Sequence, residues 1–323
     1  MIKILTEGSS KYGFGHIIRC LSLINYCGEK NIECQIYVDG DDSSKEIIKE
    51  NNGILINWKC NKFIKEHVKR NDIVITDSYH ATLQHYDLIK IKAKRLLIID
   101  DLYRLPYKGF TIINPNFCAE ILERDEANNH YLYGENYILL RNDFIGKKND
   151  VLNEKVRRVM VTLGGSDLLN MTPKIISYLI KINRKIAIDV VIGFGYDNIR
   201  EIKAVCTNQV NLHYNISAVE MAKLMVKCDF AISATGQTVN EMLKIGCPGC
   251  FIKVIDNQQL NLDYIQKSER GLIFNMNDFK NIHEMFKYEV RSVLKEKLVN
   301  IENENTGAFK ILKYIKESGF LER

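Results

Sequence analysis

Thr6 to Cys20, TEGSSKYGFGHIIRC, sets glycines and a histidine where an apolar opening, Met1 to Leu5, gives way to apolar residues at helical spacing. Gly8 and Gly13 stand at P-loop spacing, yet Phe14 and Gly15 take the places of the Lys-Ser/Thr pair, so no group is present for the outer phosphates of ATP. The dinucleotide fingerprint also fails, because Gly13-Phe14-Gly15 continues into His16, Ile17 and Ile18 without a third small residue. What remains is a turn in which Gly13 and Gly15 let backbone approach a ligand. His16 then falls in the first turn of a helix whose apolar stripe is Ile17, Leu21 and Ile24. Partial positive charge at a helix N-terminus disfavours an imidazolium there, and a neutral imidazole can take a proton from water or a sugar hydroxyl. Helix capping, or contact with a backbone carbonyl, is the purely structural alternative for this histidine.

Other strand ends carry residues of similar promise. VMVTLGGSD places Gly164, Gly165, Ser166 and Asp167 where a strand stops and a helix is expected, a natural nest for an anion. FAISATGQTVNEML offers Gly236, Gln237 and Thr238 for a pyrophosphate and Glu241, in the next helical turn, for two ribose hydroxyls. For Thr238 an N-cap, and for Glu241 a first-turn charge complementing the helix dipole, are the structural alternatives. KVIDNQQLN brings Asp256, Asn257 and Gln258; IVITDSYH brings Asp77, Ser78, Tyr79 and His80; LLIIDDLYR brings Asp100 and Asp101. Asp39-Gly40-Asp41 has the DxD spacing of metal-dependent sugar transferases, but it also reads as a solvated loop and helix cap, and no metal is expected.

The elements that must position these residues follow from the pattern of the chain. β-rich runs at Ile2 to Leu5, Cys34 to Val38, Ile73 to Thr76, Leu96 to Ile99, Val159 to Leu163, Ile188 to Ile192, Phe230 to Ser233 and Gly249 to Val254 each precede a polar break and an amphipathic stretch. That alternation predicts parallel α/β layers, and the wholly apolar runs predict sheets covered by helices on both faces. The rhythm lapses at Asn142 to Lys155, NDFIGKKNDVLNEK. Two Rossmann-like domains, 1–145 and 146–323, facing a cleft are therefore expected, with helix from Phe286 to Leu321 closing the second. Open sheets of this kind bind ligands at their strand C-terminal ends, where all the clusters above fall.

Composition narrows the class. Hydrophobic residues at 46% and charged residues at 26% describe a globular chain, and the net charge of +5 is spread among acidic residues, which gives no support to a nucleic-acid partner. No apolar run approaches the ~20 residues that span a bilayer, and the N-terminus lacks a secretory signal's apolar stretch, so a cytoplasmic location without an integral membrane segment is expected. Nine scattered cysteines read as free thiols, and Cys247-Pro248-Gly249-Cys250 as a loop entering a strand. No cofactor is expected.

Taken in order, GFGHIIRCLSL, TDSYH, LLIIDDL, NPNFCA, YGENYILLRNDF, VTLGGSD, ATGQTVNEM and DNQ resemble the UDP-sugar hydrolase of pseudaminic acid biosynthesis and the related spore-coat polysaccharide proteins. The resemblance runs from about Lys3 to about Phe274. It implies a GT-B-like fold, similar to the UDP-GlcNAc transferase of peptidoglycan synthesis. It also implies metal-free release of UDP from UDP-2,4-diacetamido-2,4,6-trideoxy-β-L-altropyranose. On that resemblance His16 positions or deprotonates the attacking water, Tyr79 and Asn257 are active-site residues, Glu241 holds the uridine ribose, and Gly236 and Thr238 lie near the diphosphate. Gly13, Gly15, Arg19, Asp77, Gly164, Gly165, Ser166, Gln237 and Gln258 complete the expected substrate-binding set. Between Gly236 and Glu241 the chain departs from many relatives, carrying Gln237, Val239 and Asn240 in place of an aromatic or serine-containing pair. A glycosyltransferase acting on a UDP-sugar, and a non-catalytic nucleotide-sugar binding protein, are the rival readings.

Overall fold

The computed structural model describes residues 1–255, 258–274, 281–299 and 307–319. The chain divides into two compact units, Met1–Asn142 with Asn305–Arg323, and Asp143–Glu304.

In the first unit β1 (Ile2–Gly8), α1 (Gly15–Glu29), β2 (Cys34–Gly40), α2 (Asp42–Ile48), β3 (Ile54–Leu55), α3 (Asn61–His67), β4 (Ile73–Asp77), α4 (Leu83–Lys92), β5 (Arg95–Ile99), β6 (Thr111–Asn114) and β7 (His130–Tyr133) follow in turn. The strands form one parallel sheet in the order β3-β2-β1-β4-β5-β6-β7. β1 and β4 are buried along their whole lengths. The pleat sends Ile2 and Ile4 into a core with Ile17 and Leu23 of α1, and Leu5 into a second core with Trp58, Ile64 and Tyr86. Burial on both faces is what the apolar strand runs require.

The second unit repeats the scheme with β8 (Arg158–Thr162), α5 (Thr172–Ile182), β9 (Ala187–Ile192), α6 (Ile199–Val205), β10 (Val210–Tyr214), α7 (Ala218–Lys227), β11 (Phe230–Ala234), α8 (Thr238–Ile245), β12 (Gly249–Ile252), α9 (Gln259–Ser268), β13 (Leu272–Ile273), α10 (Ile282–Met285) and α11 (Tyr288–Val299). Its parallel sheet has the order β10-β9-β8-β11-β12-β13. The segment entering this unit is tied to it. The Asn149 side chain donates to the carbonyls of Met225 and Cys228, both at 2.8 Å. Arg291, fully buried on α11, donates to the carbonyls of Asn153 at 2.7 Å and Glu154 at 3.0 Å.

The C-terminal stretch differs from its expected place in the second domain. α12 (Gly307–Glu317) buries Ala308, Ile311, Leu312 and Ile315 in the first unit's core beside α1. Their spacing makes one apolar stripe on a helix, and α12 also meets α1 where the Tyr26 and Phe309 rings lie edge-on, 6.4 Å between centroids. The remainder of the expected helix, 300–306 and 320–321, lies outside the described residues. All nine cysteines are free; Cys247 and Cys250 are buried, and Cys250 lies on β12. Among the described residues no helix is long and apolar enough to cross a membrane.

Candidate functional site

In both sheets the strand order reverses between neighbours, β1 with β4 and β8 with β11. The crevice at such a reversal is where open α/β sheets receive ligands. The candidate residues of each unit gather there.

In the first unit the loop after β1 is pinched by paired backbone hydrogen bonds between Ser9 and Gly13, at 2.8 and 3.1 Å. Gly13 has φ +85°, the left-handed region that glycine occupies without strain. Gly15 opens α1, so His16 is its second residue. The ring is not a cap: its Nδ1 lies 2.6 Å from Oδ1 of Asp77, the last residue of β4.

Asp77 is fully buried and shared. Arg19, one turn along α1, grips it with a two-pronged guanidinium, Nε to Oδ2 and Nη2 to Oδ1, each at 2.6 Å. The third prong, Nη1, donates to Oδ2 of Asp101 at 2.6 Å. Tyr79 donates its hydroxyl to Oδ1 of Asp101 at 2.7 Å and sets its ring edge-on to His16, 4.4 Å between centroids. Burial alone would raise the Asp77 carboxyl, but Arg19 and His16 beside it hold it well below the usual carboxylate range. Asp101 is lowered in the same way, burial opposed by Arg19. Burial lowers Arg19, yet the two carboxylates outweigh it and keep the guanidinium charged. Burial, then Asp101, push the Tyr79 phenol far up, so it stays a neutral donor.

An ionised Asp77 accepts only, so the facing Nδ1 carries a proton, and in the neutral ring the lone pair is then at Nε2. Arg19 Nη2, 3.0 Å from Nδ1, shares Asp77 as acceptor with it. Two carboxylates facing one guanidinium leave an excess negative charge, which complements a proton gained at Nε2.

Glu7 and Arg104 lie within the quoted stretches TEGSSKYGFGHIIRC and LLIIDDLYR without being singled out there, and Lys59 lies in none. Glu7, near the end of β1, is held to about pKa 2: burial would raise it, but bonds from Ser78 and Lys59 prevail. Its folded value lies below its unfolded one. Its contribution to stability is therefore complete above about pH 4.5 and is lost as pH falls toward 2. Acid titration followed by circular dichroism should show Glu7→Gln flattening the loss of stability across that window; an unchanged acid limb would contradict the assignment. Asp39 is ion-paired with Lys59 at 2.6 Å, and Asp41 caps α2 and accepts from Ser10, so both acids of the DxD spacing are already engaged.

In the second unit the Gly164-Gly165-Ser166 loop does not run straight into a helix as expected. α5 begins only at Thr172, and its first free N–H groups, Met171 and Thr172, are taken by the Asp167 carboxylate at 2.8 and 2.7 Å. The Gly165 backbone instead packs against a neighbouring loop. A side chain at Gly193 would stand 2.7 Å from the Gly165 backbone, and Gly195 N–H donates to the Gly165 carbonyl at 2.9 Å.

The loop after β11 is closely knit. Thr238 is the first residue of α8, with Gln237 at the cap position, so Thr238 is not the N-cap. Asn240 donates to the Gln237 side chain at 3.4 Å. Gln258 accepts from Val254 N–H at 2.8 Å and from the Thr235 hydroxyl at 3.2 Å, while Asn261 donates to the Thr235 carbonyl at 2.8 Å. Gly236 keeps open space, its nearest neighbour for a Cβ being Gln258 Nε2 at 3.7 Å. Glu241 is 2% exposed, buried on α8. Asn257 and Asp256 lie outside the described residues.

No protein-family profile matches the chain. Among curated proteins it is 29% identical over 264 residues to the uncharacterized protein MJ1062 of Methanocaldococcus jannaschii, covering 76% of this chain and 54% of that one. It is 27% identical over 267 residues to a Helicobacter pylori protein named pseudaminic acid cytidylyltransferase and UDP-2,4-diacetamido-2,4,6-trideoxy-β-L-altropyranose hydrolase, covering 80% and 45%. A Campylobacter jejuni protein named as the hydrolase alone is 24% identical over 276 residues, covering 81% and 94%. The chain thus spans about half the length of the first two relatives. The resemblance to this hydrolase group seen in the motifs is supported by these two named relatives. Among solved structures, Acinetobacter baumannii MurG superposes with TM-score 0.65 at 11% identity, covering 98% of this chain and 99% of that one. The calicheamicin glycosyltransferase CalG4 gives 0.62 at 10% identity, covering 97% and 98%. Both are GT-B folds, and the present chain shares that fold: two parallel-sheet α/β domains.

Proposed function

We propose that this chain processes a nucleotide sugar as a hydrolase, releasing UDP from UDP-2,4-diacetamido-2,4,6-trideoxy-β-L-altropyranose without a metal and with inversion. The observation that carries the reading is the 2.6 Å contact between the fully buried Asp77 and the partly exposed His16, which leaves Nε2 as a base at the β1–β4 reversal. The names of the two relatives supply the substrate.

In this reading the second unit holds the nucleotide and the first supplies the base. Water bound at His16 Nε2 attacks the anomeric carbon. Its oxygen forms the new bond to carbon, the bond from carbon to the β-phosphate oxygen breaks with its electron pair leaving on UDP, and the water proton passes to Nε2. Asp77, with the excess negative charge around Arg19, stabilises the imidazolium so formed. Attack opposite the departing UDP inverts the centre. Backbone N–H groups of the Gly236 loop and the α8 N-terminus face charge that grows on the leaving diphosphate, where electrostatic preorganisation acts most strongly.

The GT-B fold is also that of sugar transferases, and a transferase would use His16 on an acceptor hydroxyl in place of water. Proton NMR of the protein with the UDP-sugar in EDTA, without acceptor, separates the two. Free sugar of inverted anomeric configuration appearing with UDP is expected. Intact substrate under conditions where UDP binds would overturn the hydrolase and favour the transferase.

A further inference from the structure

The turn at residues 78–81, between β4 and α4, is gripped along both edges by charged side chains from elsewhere in the first unit. Glu7, 6% exposed, accepts from the backbone N–H of Tyr79 at 2.7 Å and of His80 at 3.2 Å, and from the Ser78 hydroxyl at 2.6 Å. The same carboxylate meets His80 Nδ1 at 2.7 Å and Lys59 Nζ at 2.9 Å. On the other edge Arg104 directs Nη2 to the carbonyls of Ser78 and Ala81, both at 2.7 Å, and to the Tyr86 hydroxyl at 2.9 Å. Asp100 anchors Arg104 in turn, accepting its backbone N–H at 3.0 Å. A negative group thus meets the N–H edge and a positive group the C=O edge, each forming charge-assisted bonds.

We propose that Glu7 and Arg104 are positioning residues for His16. Ser78 separates the two residues that hold the imidazole: Asp77, which binds Nδ1, and Tyr79, which lies edge-on to the ring and ties down Asp101. A turn free to rotate would move both together, and short bonds of 2.6 and 2.7 Å to Asp77 and Asp101 tolerate little displacement. Ser78 and Ala81 are buried, so their carbonyls must find partners within the protein, and Arg104 supplies them.

The inference rests on the hydrolase reading for its kinetic arm alone, since its other readout is the Nδ1–H proton of His16. That far-downfield signal is observed in protein carrying isotope-labelled histidine and is assigned by its loss in His16→Gln. Glu7→Gln sets an amide donor against Ser78 and Lys59, and Arg104→Met frees both carbonyls. Each is expected to shift or broaden the signal well below its melting temperature. Each should also lower kcat by about 10–100-fold, by analogy with the range for outer partners of metal-bound histidines, with KM little changed. Lys59→Met is the comparison, because Lys59 touches Glu7 but not the turn; it should lower the melting temperature and leave signal and kcat near wild type. Displaced signals in a protein that proves inactive on the UDP-sugar would uphold the positioning role and sink the hydrolase reading. The proposal is overturned if Glu7→Gln and Arg104→Met only melt earlier, with the signal and kcat retained, or if Lys59→Met displaces the signal as much as they do. Should Glu7→Gln fail to fold, Arg104→Met decides alone.

Discussion

His16→Ala is expected to slow hydrolysis of the UDP-sugar by about 10²–10⁴-fold, the usual worth of a general base, while UDP affinity stays as in wild type. The asymmetry follows from the division of labour proposed above. His16 belongs to the β1–β4 reversal of the first unit, whereas the Gly236 loop and Glu241 belong to the β8–β11 reversal of the second. The imidazole makes polar contacts with Asp77 and Arg19, and in the proposed reading its loss removes the base while the nucleotide-binding loops of the second unit stay intact. Single-turnover assays with calorimetric titration of UDP measure both quantities on one preparation. Hydrolysis retained within about tenfold would strip His16 of this role.

Asp77→Asn is expected to be worse, because it damages chemistry and folding together. The amide is nearly isosteric but neutral, and it confronts the Arg19 guanidinium, which is 5% exposed, with only Asp101 as counter-charge. Removing one partner of a buried ion pair costs about 3–5 kcal/mol, a large share of the ~5–15 kcal/mol that holds a domain folded. An amide can also present its NH₂ to Nδ1, driving the proton to Nε2 and abolishing the base. The corresponding change in a serine-protease triad lowers turnover by about 10⁴-fold through the wrong tautomer. Thermal melts should therefore show the first unit losing stability, and turnover measured well below the lowered midpoint should still be depressed by about 10³-fold or more. Near-normal turnover in the folded variant would mean that Asp77 serves Arg19 and the fold, not the histidine.

Much of the architecture was legible because its signals are local. Strand runs such as Ile73 to Thr76 and Phe230 to Ser233 are apolar over the few residues that a doubly covered strand requires, and both lie within observed strands. The helix that begins at Gly15 follows from the same kind of short-range pattern. Two local details differ for a shared reason. Asp167, quoted with the expected nest, caps α5, and Thr238, for which an N-cap was the structural alternative, is the first residue of α8. A helix start shifted by a residue or a few changes which backbone N–H groups remain free, and glycine-rich turns do not mark that start sharply.

By itself the sequence determined the alternation of strand and helix, the placing of chemistry-bearing residues at strand ends, and a histidine in the first helical turn. Each depends on residues within one or two turns of one another. Only the tertiary structure decided what that histidine touches. Asp77 lies 61 positions away and Asp101 lies 82 positions from Arg19, and they converge because the chain crosses over to set β4 beside β1. Spacing singles out none of Glu7, Lys59 and Arg104, and α12 returns to a core assembled mainly from the first 142 residues. Hydrophobic period and turn chemistry record local conformation, whereas strand order and the burial of paired charges are properties of the assembled sheet. A lone carboxylate in the sequence acquires its tautomer-setting role only when a buried guanidinium keeps it ionised beside the ring.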